Sequence, residues 1–413
     1  MSTVGVQLLG KLLIAGGGVL LARLLGPEDY GSYSYILSII TIATLPVVAG
    51  MPNLIIRELS IYQQNKMWGL VVGLISWCRC YAMLMSAFAA LFVFFAYVLG
   101  FIVDVNLNVL LIALVLVPFR AFLSQQCAFL NAFQRPALAK VPEQIINPTL
   151  SMIFILLFAY YSSVTLETAF ISVVLSTILS QFIGVILSRN NLEIVRGNLN
   201  PEWKMRIWVK SLVPFALIAF VYTLNSEVAT VFLGSFSSHQ EVGYFKVAIQ
   251  AVAIIAIGLS SVNSVIMPKI ARSYNIGDVS QAQATIRIGV RYSVLLSIFI
   301  VFTYIFYGRH LIEFLFGVEY SGVYEILMIL TFYQVIDVLL GPVGLVLNMT
   351  GNEGKALSRL LVVFAVNVAL LFLLVPLYGA AGAAYAMLFS LVLLKVLMCF
   401  AVYQSTGLKT YIH

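Results

Sequence analysis

Apolar stretches of about twenty residues recur along the whole chain, and they constrain the fold more than any other feature. A helix needs roughly 20 apolar residues to cross the hydrocarbon core of a bilayer. The strands of membrane β-barrels alternate polar and apolar residues, whereas stretches such as 361–376 and 387–394 do not. The pattern therefore predicts an all-α integral membrane protein.

Composition supports this class, because only 9% of the 413 residues are charged and the mean hydropathy is +1.04. Soluble domains carry about 25% charged residues. We expect the first apolar segment to be a retained helix rather than a cleaved signal peptide, and a few residues to be missing before it. The sequence predicts twelve spans, near residues 4–25, 30–51, 77–100, 107–130, 144–162, 168–188, 211–234, 242–267, 289–307, 322–347, 358–376 and 380–402.

Basic residues are distributed unevenly among the junctions between these spans. Sixteen of the 23 lysines and arginines fall in even-numbered junctions and the C-terminal tail, and two fall in odd-numbered junctions. Positively charged loops stay on the cytoplasmic side. The distribution predicts that both termini are cytoplasmic.

Two short patterns occur once in each half of the chain. An acid-x-Gly-x-aromatic motif is centred on Gly31 and again on Gly243, and a Leu-Asn pair at 130–131 returns at 347–348. Because each copy is separated by six spans, the halves would enter the membrane from the same side, as parallel transporter repeats do. We predict a six-helix lobe over 1–188, a linker over 189–210, a second six-helix lobe over 211–404 and a cytoplasmic tail over 405–413. Trp203 and Trp208, among basic residues, predict an interfacial helix in the linker.

Charges inside spans are the best indicators of function, since each costs roughly 3 kcal/mol or more at mid-bilayer. The first six spans contain basic residues and no acidic residue, which predicts a cavity that receives an anion. Arg79 and Lys395 lie near span ends, where long side chains also reach the headgroups without any function. The candidate anion-binding residues are Lys11, Arg23, Arg79, Arg120 and Lys246.

The second half carries buried acids as well. Glu227 and Asn225 lie in the seventh span and Asp337 in the tenth. The Leu-Asn repeat aligns Asp337 with Arg120, which suggests a gating pair. Alternatively, Glu227 or Asp337 titrates or binds a cation and couples transport to an ion gradient. A static buried ion pair or hydrogen bond is the simplest interpretation of either acid.

The sequence lacks the motifs that several other protein activities require. The sequence has no GxxxxGK[ST] phosphate loop, which argues against an ATP-driven pump. The three histidines and four cysteines form no recognisable metal-binding pattern. We therefore predict no cofactor, no metal, no nucleic-acid partner and no enzymatic activity.

The segment Ala22-Arg23-Leu24-Leu25-Gly26-Pro27-Glu28-Asp29-Tyr30-Gly31-Ser32-Tyr33 resembles the hallmark of the polysaccharide transporter (Wzx-type flippase) family. This family belongs to the multidrug/oligosaccharidyl-lipid/polysaccharide exporter superfamily. The stretch Arg57-Glu58-Leu59 and the two Leu-Asn stretches also fit, so the resemblance extends over essentially the whole chain. Of the candidate anion-binding residues, Arg23 alone lies in the hallmark.

The resemblance implies two six-helix lobes around a V-shaped cavity that opens alternately to each side of the bacterial inner membrane. It implies a cargo of undecaprenyl-pyrophosphate-linked oligosaccharide, for O-antigen, capsule or exopolysaccharide, moved from the cytoplasmic to the periplasmic leaflet. Membrane lipids, a polysaccharide polymerase and a chain-length regulator are the further partners to expect.

Three other functions are considered. A drug or organic-cation exporter of the same superfamily would need acids in its cavity, and a peptidoglycan-precursor flippase usually has extra helices. A membrane glycan polymerase or ligase would need a large outer loop, and no predicted outer loop exceeds roughly 15 residues.

Overall fold

The computed structural model describes residues 3–192 and 200–411 of the chain. The described residues form α-helices joined by short turns and contain no β-strand. The chain divides into two compact units, Met1–Val231 and Phe232–His413. The all-α prediction is confirmed.

The first unit contains eight helices and most of a ninth. Their bounds are α1 Thr3–Val48, α2 Met51–Gln64, α3 Trp68–Val98, α4 Leu107–Leu114, α5 Leu116–Ala132, α6 Pro136–Val141, α7 Asn147–Tyr161, α8 Leu166–Leu192 and α9 Met205–Phe236. A π-helical turn, Pro142–Ile146, joins α6 directly to α7. The second unit begins in the last turns of α9 and adds α10 His239–Asn275, α11 Val279–Phe316, α12 Val323–Leu340, α13 Val343–Met349 and α14 Glu353–Thr406.

Nine helical stretches in the described part of the chain are long and apolar enough to cross a membrane. Two of them, Gly5–Gln64 and Gly354–Thr406, contain 60 and 53 residues, far more than the roughly 20 that one crossing needs. Helices overlap all twelve predicted spans. The number of crossings stays a prediction.

Glycines break the overlong helices. Gly26 in α1 has φ 76°, Gly50 between α1 and α2 has φ 75°, and Gly379 in α14 has φ 53°. These are left-handed conformations that glycine adopts without steric cost. Pro27 follows Gly26 and lacks the N–H that would continue the helical hydrogen bonds. The Gly26-Pro27 pair of the hallmark segment is therefore the joint between the first two predicted spans.

Large apolar side chains cover much of the outside of both units. Phe92 on α3 is 68% exposed and Phe299 on α11 is 77% exposed, and many residues around them are similar. Soluble proteins rarely expose contiguous apolar surface of this extent. Lipid is the solvent that fits such a surface, which agrees with a multi-pass membrane protein.

The aromatic core of the first unit centres on Trp208 of α9. This residue is fully buried, its ring lies 5.5 Å from the ring of Trp77 on α3, and its Nε1 donates a 2.9 Å hydrogen bond to the hydroxyl of Tyr62 on α2. Together these contacts join α2, α3 and α9 through one buried cluster.

The structure buries Trp208 in the protein, and the interfacial helix of the linker stays a prediction. Trp203 is 48% exposed, as an interfacial residue would be, but α9 starts at Met205 and carries Trp208 into the core. The indole is buried here because Tyr62 supplies an acceptor for its N–H. Residues 193–199 of the predicted linker lie outside the described residues.

Removal of the Tyr62 hydroxyl should destabilise the first unit. In Tyr62→Phe the buried Trp208 N–H loses its acceptor, which costs about 1–3 kcal/mol. We expect a lower Tm in detergent, measured by the protein that remains monodisperse after heating. Tyr160→Phe is the control, since Tyr160 is 82% exposed. Equal Tm values for the two variants would contradict the assigned hydrogen bond.

Candidate functional site

A cavity of about 520 Å³ lies within the first unit. Its lining residues come from α1, the start of α2, α5, the π-helical turn, α7 and α9. Its polar lining residues are Thr41, Thr44, Asn53, Arg120, Ser124, Glu143, Asn147 and Thr223. We call it the Arg120 cavity.

Arg120 is the cationic residue of this cavity. It lies on α5, and its Nη1 is 3.4 Å from Oγ1 of Thr41 on α1. The Thr41 hydroxyl itself donates to the Leu37 carbonyl at 2.7 Å, so it is held in place to accept. A guanidinium has five N–H donors, and this one contact leaves donors for a ligand in the cavity.

Two carboxylates lie near Arg120. Glu143 lines the same cavity, and both Glu143 and Glu227 are close enough to act on the guanidinium electrostatically. The prediction of a first lobe with basic residues and no acid is therefore wrong at this point. It failed because Glu143 is part of the continuous helix Pro136–Tyr161, whereas Glu227 lies on α9, in the predicted seventh span.

The π-helical turn determines where Glu143 lies. Asn147 N–H donates to the Pro142 carbonyl, five residues back, instead of four. Single π-turns within helices are frequent at functional sites. Asn147, one turn after Glu143, also lines the cavity, and its Oδ1 accepts from the Ser176 hydroxyl at 2.9 Å.

Glu227 is fixed from α1. Its Oε2 accepts a 2.7 Å hydrogen bond from the hydroxyl of Ser38, a residue only 2% exposed. Thr223, one turn earlier on α9, lines the cavity. Glu227 therefore lies just beyond the cavity wall, and Asn225, two residues before it, is partly buried and absent from the lining.

The hallmark segment reaches this site through an aromatic residue. Tyr33 is 8% exposed, packs against Phe170 of α8 at 4.8 Å between ring centroids, and lies near Arg120. The hallmark segment thus contains both the Gly26 joint and a residue that packs near Arg120.

The other predicted basic residues lie elsewhere. Lys11, Arg23 and Arg79 are exposed, and none of them lines the Arg120 cavity. Lys246 is partly buried in the second unit. Among the five candidates, Arg120 is the residue that lines the cavity of the first unit.

Asp337 forms an ion pair within the second unit. Its Oδ1 lies 2.6 Å from Nζ of Lys395 on α14, and its Oδ2 lies 3.5 Å from Nε2 of Gln334. Lys395 also donates to the carbonyls of Asp337 and Gly341, at 3.2 and 2.7 Å. These carbonyls belong to the end of α12, where a cation also complements the helix dipole.

The interpretation of Lys395 as a side chain that reaches the headgroups is wrong. The residue is 8% exposed, because the end of α12 supplies three oxygen acceptors to its ammonium group. The Arg120–Asp337 gate would join the two units and stays a prediction. Since Asp337 already has Lys395 as a partner, the static ion pair explains it within its own unit.

Comparisons with known proteins identify the family. The family model described as "Polysaccharide biosynthesis protein" matches residues 1–274. The chain belongs to this family. The resemblance found in the sequence is thereby confirmed. One curated relative, the capsular polysaccharide biosynthesis protein CapF of Staphylococcus aureus, is 23% identical over 370 residues, which cover 89% of each chain.

Solved structures show the same fold. A multidrug resistance MATE family transporter of the MOP superfamily, in an inward-facing conformation, matches with a TM-score of 0.79 and 12% identity over 96% of this chain and 94% of that chain. The lipid II flippase MurJ, in an inward closed conformation, matches with a TM-score of 0.76 and 15% identity, over 97% and 87%. The chain of this polysaccharide biosynthesis family member therefore has the fold of MOP superfamily transporters.

Sequence analysis missed Glu143 and the partner of Asp337. A usable signal existed for Glu143, because it and Asn147 are four residues apart and so share one helix face. Pro142 concealed this signal, since a proline commonly marks a helix start. No sequence signal pairs Asp337 with Lys395, because the two residues are 58 positions apart and meet only in three dimensions.

Breaking the Asp337–Lys395 pair should be costly. Lys395→Met leaves a largely buried carboxylate without its cation, and loss of one partner of a buried pair costs about 3–5 kcal/mol. We expect a marked fall in Tm in detergent and partial recovery in the double variant Asp337→Asn/Lys395→Met. Arg309→Met is the control, because the Arg309–Glu313 pair is 65% exposed at the arginine and contributes little. A Lys395→Met protein as stable as Arg309→Met would refute the structural role.

Proposed function

We propose that this protein is a flippase for undecaprenyl-pyrophosphate-linked oligosaccharides. Its cargo would be the repeat unit of an O-antigen, capsule or exopolysaccharide, moved from the cytoplasmic to the periplasmic leaflet of the bacterial inner membrane. Membership of the polysaccharide biosynthesis family, the MOP transporter fold and the names of CapF and of the lipid II flippase MurJ support this proposal.

The observation that carries the proposal is Arg120 in a cavity of the first unit. A charge inside a membrane protein is costly and is usually retained for function. Arginine suits phosphate because its planar fork donates two parallel hydrogen bonds to phosphate oxygens. The pyrophosphate is the group of the cargo that such a residue would bind.

The proposed topology follows the loop charges and the repeat. The chain would cross the membrane twelve times as two six-helix lobes, with both termini cytoplasmic, and would open its V-shaped cavity alternately to each side. Lys11, Arg23, Arg79 and Lys246 would extend the cationic surface along which the anionic cargo passes. The division into lobes over 1–188 and 211–404 is supported by the motif that is centred on Gly31 and repeated at Gly243.

The nearby carboxylates suggest how binding could be coupled to an ion gradient. When Glu143 and Glu227 are both ionised, they compete with a pyrophosphate for Arg120, and their combined charge exceeds that of the arginine. Protonation of either acid would weaken this competition and favour the anion. Glu227 is the stronger coupling candidate, with Asn225 near it, because the other predicted acid, Asp337, is already engaged by Lys395.

The same carboxylates favour a second candidate function, export of an organic cation. A cavity lined by Glu143, with Glu227 nearby, can accept a cation once Arg120 is turned away, and related MOP structures are multidrug transporters by name. Family membership favours the glycan cargo. A gene deletion separates the two functions: loss of surface polysaccharide without altered sensitivity to cationic dyes supports the flippase, and the reverse result supports the exporter.

Replacing Arg120 should abolish transport of the anionic cargo. We expect Arg120→Ala to lose most surface polysaccharide in cells deleted for the native gene, and Arg120→Lys to retain part of it, because lysine keeps the charge without the fork. Immunoblots of membranes check that each variant is present. The control is Arg135→Ala, an exposed arginine at the start of α6. Wild-type polysaccharide in Arg120→Ala cells would refute the proposal.

Replacing Glu227 should uncouple transport from a proton gradient. Glutamine mimics the protonated acid, so Glu227→Gln should flip cargo in proteoliposomes at a rate independent of an imposed pH gradient. Asp337→Asn tests the second acid in the same assay, and Glu167→Gln, at an exposed acid in the first turn of α8, is the control. If Glu227→Gln responds to the gradient as the wild type does, Glu227 is not the coupling residue.

A further inference from the structure

A second polar cavity of about 520 Å³ lies within the second unit. Three tyrosines and three charged residues dominate its lining: Tyr244, Tyr324, Tyr378, Glu241, Arg309 and Glu325. We call it the tyrosine cavity. Its volume falls within the range of about 300–1,000 Å³ that is usual for small-molecule sites. Neither the Arg120 site nor the proposed coupling mechanism uses it.

Three separate junctions of the chain meet at this cavity. Glu241 and Tyr244 lie at the start of α10, Arg309 lies in the last turns of α11, Tyr324 and Glu325 begin α12, and Tyr378 precedes the break in α14. All three junctions are odd-numbered in the predicted topology, which places them on the outer side of the membrane. The tyrosine cavity would therefore lie where a cargo leaves.

Two of the tyrosine rings are held rigidly. The Tyr244 hydroxyl accepts from Gln240 Nε2 at 2.7 Å and donates to the Glu319 carbonyl at 3.1 Å, and the Tyr324 hydroxyl donates to the Ile305 carbonyl at 3.1 Å. Each ring also lies against a glycine: a Cβ at Gly322 would be 2.9 Å from Tyr244, and one at Gly308 would be 3.2 Å from Tyr324. Rigid rings lose little entropy when a ligand binds.

Glu241 stabilises the part of the cavity wall that α14 forms. Its Oε2 accepts a 2.7 Å hydrogen bond from the backbone N–H of Ala380, next to Gly379 with its left-handed backbone. This contact fixes the break in α14, and with it the backbone that carries Tyr378. The tyrosine itself is 60% exposed, so its ring remains available to a ligand. Glu241 is the acid of the repeated acid-x-Gly-x-aromatic motif, which gives the second copy of that motif a role.

The charges of the lining select the class of ligand. Arg309 forms an ion pair with Glu313, with 3.1 Å between Nε and Oε1. The lining to which Arg309 belongs also contains Glu241 and Glu325. The two carboxylates outnumber the arginine and repel an anion such as pyrophosphate, while Glu241 and Arg309 each already have a partner within the protein. A neutral polyhydroxyl ligand avoids this repulsion, since its hydroxyls donate to carboxylates and accept from guanidinium. The C–H faces of a sugar ring also pack well on the apolar faces of tyrosines.

We propose that the tyrosine cavity is a glycan subsite that binds neutral sugar residues of the cargo at the outer side of the second unit. The proposal rests on the flippase function above, because it takes the sugars to be part of the lipid-linked cargo. Tyr378 supplies the accessible stacking face, Tyr244 and Tyr324 form the rigid walls, and Arg309 and Glu325 bind hydroxyl groups.

Photo-crosslinking in the native host tests the proposal with the native cargo. The full-length chain carries p-benzoylphenylalanine at Ser321, an exposed residue of the tyrosine cavity, or at Asn53, an exposed residue of the Arg120 cavity. Phe299, on the exposed apolar surface of α11, is the background position. After illumination, the purified protein is labelled at periodate-oxidised sugars. Cells that cannot attach the first sugar phosphate to the lipid provide the cargo-free control.

We expect glycan adducts at Ser321 and Asn53 and none at Phe299. Adding Tyr378→Ala should lower the Ser321 adduct about tenfold, as loss of one aromatic packing contact implies, and should leave the Asn53 adduct unchanged. Tyr378→Phe keeps the stacking face and should retain the Ser321 adduct.

The other outcomes overturn the proposal in distinguishable ways. Glycan at Asn53 without glycan at Ser321 removes the subsite and leaves the flippase function standing. Glycan at neither position removes both. A Ser321 adduct that Tyr378→Ala does not reduce removes the stacking role on which the subsite depends. Protection of Ser321 by tetraphenylphosphonium, with no glycan captured there, would assign the cavity to organic cations.

Discussion

The electrostatic balance around Arg120 organises the first unit. A lone arginine among apolar helices would be strongly destabilised, since charged groups need water or partners. Thr41 on α1 accepts a hydrogen bond from it, and Glu143 and Glu227 act on it from the π-helical turn and α9. These elements are thereby tied to one charge, and the cavity lies among them.

Glycine joints make this arrangement possible. Apolar helices of 60 and 53 residues would otherwise run straight on, at about 1.5 Å per residue, far beyond a bilayer. Gly26 turns α1, and Gly50 lets α9 approach closely, since a Cβ there would lie 2.5 Å from the backbone nitrogen of Ala216. Gly379 turns α14 in the second unit, where the Glu241 carboxylate fixes the new direction. The joints therefore determine which side chains reach each cavity.

Hydropathy was enough to predict the helices, because each span is defined by its own composition. It could not predict partners that come from distant parts of the chain. Glu227 was assigned to the second half by chain order, yet α9 packs with the first unit and brings Glu227 to Ser38. Lys395 was interpreted from its depth alone, whereas its position depends on the carbonyls that end α12. Arg120 was predicted as a candidate because a mid-span charge is a local signal, and the structure places it in the lining of a cavity. Its acidic neighbours were missed, because they are not local.

The two cavities differ in chemistry, as do the pyrophosphate and the sugars of a lipid-linked oligosaccharide. The Arg120 cavity contains a guanidinium, with Glu143 in the same lining and Glu227 nearby. The tyrosine cavity contains rigid aromatic rings, one arginine and two carboxylates, a lining that disfavours phosphate and, in the proposal above, binds sugars. If the pyrophosphate and the sugars are bound by different units, the affinity for each is set independently. A flippase built in this way could exchange one sugar repeat for another through changes at the tyrosine cavity, while the recognition of the pyrophosphate stayed the same. Differences in sugar specificity should therefore arise from side chains around Tyr378 rather than from those around Arg120.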